Sequence, residues 1–443
     1  MKFRNHNVVH LLLFVILFVI SSCNTKSKKP IGHTEIEKWQ DGKRSAVSLT
    51  YDDGSINQFK VALPIMNSLQ LPATFYINTG NIQGSQYQRK FIGRPFEDII
   101  RETAETPTNL ENLFERASAI RMLGNNEIRE HHTRAGSLWE SDRREEAFKV
   151  IDEGYALVRS NPEHQKVYDP RPGELTWREI QKYAKQGHEF ASHTISHPRL
   201  SVMDEENLLY ELEKSREDVL RYLGPEHVFT VECPYGTEDE RVMEYMYEIY
   251  PASRNRMPEP WLEELNRGNR MQPGTSDKEY VQWQRGALSH TSLDQMKAWI
   301  DTCTAHNNIW LVLVFHGVDD IGWEAIEGDT LEAYFKYIKS NENEVWVATF
   351  KDVAKYVRER MNAEINSIKE GDKIIVDLKH SLDPELYDLP LTLKTYVPTN
   401  WENIKVKWRE KDLLAYAGND DGGKFVRYQA YANAEKIEVL KAE

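Results

Sequence analysis

From residue 44 onward, short runs of apolar and β-branched residues alternate with stretches whose apolar positions recur every three or four residues. "SAVSLTY" reads as a strand, and "ATFYIN" as a second one. Between them Ile56, Phe59, Leu63, Met66 and Leu69 fall at helical spacing, with Pro64 expected to kink the helix. A strand–helix–strand unit implies parallel pairing. Residues 83 to about 172 break the rhythm. They carry amphipathic segments such as "NLFERASAIRML" and "DRREEAFKVIDEGYALVRS" and end in the turn-rich "DPRPGEL", which predicts a helical insertion. His131 and His132 within it read as a solvated helix end rather than as ligands.

The alternation then resumes. "HEFASH", "VFTVECPYG", "IWLVLVFH" and "EVWVATF" read as strands, separated by helices such as "DEENLLYELEKSREDVLRYLG" and "SLDQMKAWIDTCTAH". An irregular stretch rich in Pro and Arg precedes the second of those helices. Repeated β–α units over residues 39–362 predict an α/β fold, a distorted β/α barrel. A doubly wound open sheet is the runner-up, weakened by the lack of a Gly-rich phosphate loop. Beyond residue 362 the period changes to two in "KIIVDLKHSL", "LPLTLKTYV" and "NIKVKWRE". Residues 363–443 therefore read as a small all-β, sandwich-like accessory domain, with packing as its default role and carbohydrate binding as the other.

The first residues add a different signal. Lys2 and Arg4, an apolar run from Leu11 to Ile20, and small residues before Cys23 have the layout of a secretory signal too short to span a membrane. "ISSC" resembles a bacterial lipobox, so residues 1–22 are expected to be a lipoprotein signal peptide and residues 23–38 a tether. A lipid on Cys23 would hold the protein to a membrane of the bacterial cell envelope, periplasmic or surface-exposed. Cys233 and Cys303 are then the remaining cysteines, in an oxidising compartment, and spacing alone establishes no bridge between them. The net charge of −14 argues against nucleic acid as a partner.

Reactive residues gather at the ends of the predicted strands. Asp52 and Asp53 close the first, His193 and His197 ("SHTISH") follow another, "ECPYG" ends a third, and His316 ends "IWLVLVF". In a parallel barrel these ends open onto one face. Two imidazoles and one carboxylate make a common three-ligand set for catalytic zinc, with a position left for water. One aspartate of the pair then binds the cation, and the other stands close enough to take a proton from water. The cation also relieves the repulsion between adjacent carboxylates.

With "TYDDG", "HTISH", "CPYG" and "LVLVFH" in place, the chain resembles the polysaccharide deacetylases, the NodB-homology group that forms carbohydrate esterase family 4. The resemblance spans roughly residues 44 to 360. It implies that Asp52 is the general base and that Asp53, His193 and His197 hold a divalent metal, zinc above others. It further implies that the Tyr235 backbone N–H stabilises the oxyanion and that His316 protonates the leaving group. The implied substrate is an acetylated polysaccharide or oligosaccharide, either an O-acetyl ester as in acetylated xylan or an N-acetyl amide as in chitin or peptidoglycan.

Two positions depart from the family pattern. Glu232 stands where the third motif begins with Arg, and Arg254, Arg256 and Arg285 are candidates to replace that cation. The fourth motif, an Asp–Trp pairing that tunes the late histidine, is absent: "QWQRGALSH" offers Trp283 but no Asp. Asp319 or Asp320 can orient His316 instead, or cap the next turn. These departures tilt the expectation toward O-acetyl esters, whose leaving group needs less acid assistance. They also motivate the alternative of a catalytically impaired, glycan-binding lipoprotein. Trp323, and less so Trp261, are the expected aromatic walls for sugar rings.

Overall fold

The computed structural model describes residues 28–168, 173–258, 262–267 and 269–442. The expected signal peptide, residues 23–27 of the tether with Cys23 among them, residues 169–172 and Trp261 lie outside the described residues.

A nine-stranded, all-parallel sheet forms the centre of the molecule. Its order is Ala252–Ser253, Thr230–Val231, Glu189–Ser192, Thr74–Ile77, Ser45–Tyr51, Ile309–Phe315, Val281–Gly286 and Glu263–Leu265, with Val345–Val347 paired to the first half of Ser45–Tyr51. The outermost strands, Ala252–Ser253 and Glu263–Leu265, do not pair with each other, so the sheet is a curled, open barrel. Ser45–Tyr51 and Ile309–Phe315 are buried along their whole length, which explains their near-continuous apolar sequences.

Three strands lie in or beside the stretch that sequence reads as irregular. Ala252–Ser253 and Glu263–Leu265 are too short to show a period, and Val281–Gly286 ("VQWQRG") carries two glutamines and an arginine. The expected kink at Pro64 takes a specific form. Gln58–Ala62 is a π-helical turn, closed by the Leu63 N–H on the Gln58 carbonyl, and Leu63–Ser68 continues as an α-helix with Pro64 in its first turn. Widening the turn there accommodates a residue that has no N–H to give to the preceding turn.

The insertion is helical, with Phe96–Glu102, Leu113–Ile120, Asn126–Glu140 and Arg144–Ser160 packed around Leu113, Ile120, Ile128, Ile151 and Tyr155. The expectation for its histidines is corrected. His131 and His132 lie within the helix Asn126–Glu140 and are buried. His132 Nδ1–H donates to the Ala117 carbonyl (2.8 Å), while Nε2 accepts from the Arg199 N–H (2.9 Å). The charged residues around them occupy the other face of an amphipathic helix whose inner face packs on Leu113–Ile120.

The C-terminal residues form two antiparallel sheets, one of four strands and one of five, around Ile374, Leu378, Leu393, Val406, Val426 and Val439. One of these strands is not C-terminal. Thr34–Ile36, expected within the tether, pairs with Leu391–Tyr396 and so belongs to the folded sheet instead. Three residues gave no readable alternation, although Thr34 and Thr395 share a buried hydroxyl contact of 2.9 Å. Cys233 and Cys303 are buried free thiols. Among the described residues no helix is long and apolar enough to cross a membrane.

Candidate active site

Because every pair in the central sheet is parallel, residues that follow its strands share one rim. Asp52 and Asp53 follow Ser45–Tyr51, His193 follows Glu189–Ser192, Glu232 follows Thr230–Val231, Arg254 follows Ala252–Ser253, and His316 follows Ile309–Phe315. All but Arg254 line a cavity of about 490 Å³, and Arg254 lies behind Asp52. Four side chains of this rim are carried on left-handed backbone: Asp53 (φ 73°), Thr194 (φ 67°), His197 (φ 57°) and Tyr235 (φ 64°). For β-branched Thr and bulky Tyr this costs about 1–3 kcal/mol each and needs surrounding bonds to hold it. The "HTISH" turn has them. Buried Glu211 accepts the N–H groups of Ile195 and Ser196 (2.9 Å each), and the Thr194 hydroxyl accepts from the His197 N–H (3.1 Å).

That turn brings His193 and His197 to Asp53. Ligand atoms of the three residues all lie within 4.8 Å of one another. His193 Nε2 is 3.8 Å and His197 Nε2 3.2 Å from Asp53 Oδ1. His193 Nδ1–H donates to the Glu232 carbonyl (2.8 Å), which fixes the tautomer and leaves Nε2 with a free lone pair facing the cluster. Burial holds His193 near pKa 4 and His197 well below its ordinary value, so both rings are neutral, as a metal requires. Burial and the adjacent Asp52 charge push Asp53 up to about 7. A buried carboxylate that needs a counter-charge, beside two neutral imidazoles, is a donor set that fits a divalent cation.

Asp52 faces the other way, into an ion-pair network. Arg254 donates to it twice, Nη1 to Oδ1 at 2.7 Å and Nη2 to Oδ2 at 2.6 Å. The same guanidinium reaches Glu232 through Nε (3.0 Å) and Nη2 (2.7 Å), and Thr50 Oγ1 through Nη1 (2.7 Å). Burial would raise the Asp52 carboxyl, but the charge and hydrogen bonds of Arg254 outweigh it and hold the group well below the usual carboxylate range. Burial pushes Glu232 up to about 7 against the pull of Arg254. Of the three candidate arginines, Arg254 supplies the missing cation. Arg256 instead pairs with Glu240 (2.9 Å), and Arg285 donates to main-chain carbonyls.

His316 Nε2 stands 3.4 Å from Asp52 Oδ2. Its Nδ1 is buried without a hydrogen-bond partner. Asp319 does not orient it, because Asp319 Oδ1 accepts the Gly328 N–H (2.7 Å) and caps the following helix. The Trp323 ring packs edge-on against His316 at 4.6 Å and is 55% exposed, so it borders the cavity as expected. Gln58, which the sequence did not single out, ties the two strand ends together by donating to the carbonyls of Asp52 (2.5 Å) and His316 (2.8 Å). Tyr235 lines the same cavity, with its ring 4.7 Å from His197 and under the Arg199 guanidinium at 4.4 Å. Its backbone N–H donates to no protein acceptor among the described residues.

Comparison with known proteins bears on this rim. The polysaccharide deacetylase family profile matches residues 40–134 and 150–249. A gellan lyase from Bacillus sp. is 22% identical over 284 residues, which is 60% of this chain. The chain spans 11% of that relative's length. Among solved structures, a Mycobacterium smegmatis protein assigned as a polysaccharide deacetylase aligns at 14% identity and TM-score 0.39 over 75% of this chain and 96% of the other. The Xyl-CE4 domain of a multidomain xylanase from the hindgut metagenome of Trinervitermes trinervoides aligns at 12% identity and TM-score 0.33, covering 70% and 89%. A family 4 carbohydrate esterase from Bacillus anthracis aligns at 16% and 0.31, covering 73% and 86%. The family match spans the Asp52–Asp53 pair, the histidine turn and the "CPYG" loop, and it identifies a polysaccharide deacetylase domain within residues 40–249.

Proposed function

We propose that this protein is a divalent-metal-dependent hydrolase that removes acetyl groups from a polysaccharide. The observation that carries the reading is the meeting of Asp53, His193 and His197 beside an Asp52 held by Arg254. The first three would hold the cation, zinc being the best match to two imidazoles and one carboxylate. When bound, the cation polarises the acetyl carbonyl and acidifies water.

The chain's own residues account for the rest. Asp52, ionised and locked in orientation by two N–H donors, accepts a proton from the attacking water. The unpartnered Tyr235 N–H points to an oxyanion donor, a role worth about 3–4 kcal/mol in acyl transfer. His316, 3.4 Å from Asp52, is placed to deliver a proton to the departing oxygen or nitrogen. Burial holds His316 near pKa 4 and no hydrogen-bond partner supports its Nδ1, so little of the ring carries the proton to be delivered at neutral pH. That favours O-acetyl esters over N-acetyl amides, since an alkoxide leaves more readily than an amide anion. Of the two departures behind the binding-only alternative, Arg254 at the Asp52 carboxylate answers Glu232 in place of Arg, while the absent fourth motif still leaves His316 Nδ1 without a partner.

The leader's layout supports export to the bacterial cell envelope with a lipid on Cys23 as the membrane anchor. The deciding experiment is acetate release from a panel of O- and N-acetylated polymers by zinc-loaded protein, with and without chelator. Release that vanishes with chelator is expected. A metal-loaded protein that releases nothing from any polymer would overturn the reading.

A further inference from the structure

Beside the catalytic cavity lies a second one of about 810 Å³, lined in part by Arg267, Arg270, Arg285, Trp283, His290 and Trp323. Arg267 and Trp323 line both cavities, so the two are continuous. No aspartate or glutamate lines the larger one, in a chain of net charge −14. None of the three arginines forms an ion pair among the described residues, whereas Arg199 at the catalytic cavity and Arg254 behind it pair with Glu140 and Asp52. Arg285 is held in place by carbonyl groups, those of Gln284 (2.8 Å), Asn269 (3.2 Å) and Asn266 (3.4 Å), and lies over Trp283 at 4.7 Å. Carbonyls orient the guanidinium but leave its charge uncompensated. Arg267 sits against Gly236 of the "CPYG" turn, where an added Cβ would meet its Nη2 at 3.0 Å.

We propose that this cleft is a subsite for a uronate residue next to the acetylated sugar, and that the substrate is therefore an acidic, acetylated polysaccharide. The inference rests on the deacetylase reading above and names its substrate class. A guanidinium presents a planar fork that matches a carboxylate with two parallel hydrogen bonds. Arg285, fixed by three carbonyls, is pre-organised for an anion, because little ordering remains to be done on binding. Exposed Trp323 at the junction offers a face on which a pyranose ring can stack. A cleft that mixes aromatic faces with cations, in a protein too acidic overall to approach nucleic acid, suits a charged sugar chain. The cleft meets the catalytic cavity at Arg267 and Trp323, so a sugar bound there is contiguous with one whose acetyl group lies at Asp53.

Calorimetric titration of the full, zinc-loaded chain tests the proposal with three probes of equal length: a xylo-oligosaccharide, the same oligosaccharide bearing one glucuronate, and a sulfated galacto-oligosaccharide. The glucuronate probe is expected to bind at least ~10-fold more tightly than the neutral one, an advantage that shrinks as salt rises from 20 to 500 mM because charge pairing at an open cleft is screened. The double substitution Arg270→Gln, Arg285→Gln is expected to bring the two affinities within about twofold while leaving binding of the neutral probe unchanged. Equal affinities in the unsubstituted protein overturn the proposal without any variant having to fold. Tighter binding of the sulfated probe also overturns it, by assigning the charge to a sulfate ester. Acetate release on the same preparation separates this result from the deacetylase reading: release without uronate preference sinks the subsite alone, and uronate preference without release from any polymer sinks the hydrolase alone.

Discussion

Arg254 grips Asp52 with two near-parallel N–H···O contacts of 2.7 and 2.6 Å, and it does so from the strand next to the one that ends in Glu232. Val231 and Ser253 are register partners, so Glu232 and Arg254 emerge side by side. The cation has moved one strand along the rim, and an acid has taken the vacated place. Substituting Arg254 by Ala leaves two buried carboxylates without their counter-charge, which costs about 3–5 kcal/mol of stability. Arg254→Ala is therefore expected to lower the melting temperature markedly and to abolish turnover. Placing the guanidinium back on the neighbouring strand, as Arg254→Ala with Glu232→Arg, is expected to recover part of both. Denaturant melts and acetate release on the single and double variants check this. No recovery in the double variant would show that the position of the cation, and not its charge alone, is what Asp52 requires.

Asp52 and Asp53 are adjacent in sequence yet face different partners, one a guanidinium and the other two imidazoles. Their substitutions should separate accordingly. Asp53→Ala and His193→Ala are expected to lose metal and activity together, because each removes one of three ligands. Asp52→Asn keeps the ligand set and should retain stoichiometric zinc while losing about 10²–10⁴ in kcat, the range general-base catalysis supplies. Metal content by atomic absorption, measured alongside turnover, distinguishes the two classes. Full turnover in Asp52→Asn would remove Asp52 as the base.

Much of this rim was legible from sequence because its strands are long or apolar enough to read. Ser45–Tyr51 and Ile309–Phe315 announce Asp52, Asp53 and His316 by buried runs of seven residues. Arg254 was one of three candidates, since choosing it requires knowing that Ala252–Ser253 pairs with Thr230–Val231, and two residues carry no period. Gln58 was missed for a similar reason: its amide bridges two carbonyls that come together only through the pairing of two strands far apart in sequence. The buried histidines of the insertion looked solvated because neighbouring Arg and Glu occupy the opposite helix face. Thr34–Ile36 reads as tether because a three-residue strand is stabilised by its partner and not by its own pattern.

The Asp53 carboxyl, raised from an ordinary 3.8 to about 7 by burial and by Asp52, sets the pH dependence of metal uptake. A cation must displace its proton below pH 7 and need not above it. His193, held near 4, is already neutral across this range and adds nothing. Zinc affinity is thus expected to rise about tenfold per pH unit from pH 5 to 7 and then level off, with close to one proton released per metal at pH 5.5. Calorimetry in buffers of different ionisation enthalpy counts that proton. The sign for stability is opposite in metal-free protein: a carboxyl raised in the folded state stabilises the fold below about pH 4, and that contribution is lost as pH climbs to 7. The gain in melting temperature on adding zinc should therefore grow over the same window. A gain that is flat from pH 5 to 7 would remove Asp53 as the titrating ligand.

Tyr235 occupies left-handed backbone at φ 64°, where a bulky side chain is strained, and its proposed contribution comes from its main-chain N–H. Glycine keeps that N–H and adopts this conformation freely. Tyr235→Gly removes the ring from His197 and from beneath Arg199, and it relieves strain of about 1 kcal/mol that offsets the lost contacts. Stability is expected to stay within about 1 kcal/mol of the original, and kcat on a small acetyl ester within about tenfold. Trp323→Ala acts differently, because Trp323 is 55% exposed at the cavity edge and meets His316 in a T-shaped contact. It should raise KM for polymers several-fold with a smaller change in kcat, the split expected when binding is lost equally from ground and transition states. If Tyr235→Gly instead costs a thousandfold in kcat with the metal retained, the phenol itself takes part in the reaction, and the oxyanion role of the backbone must be reassigned.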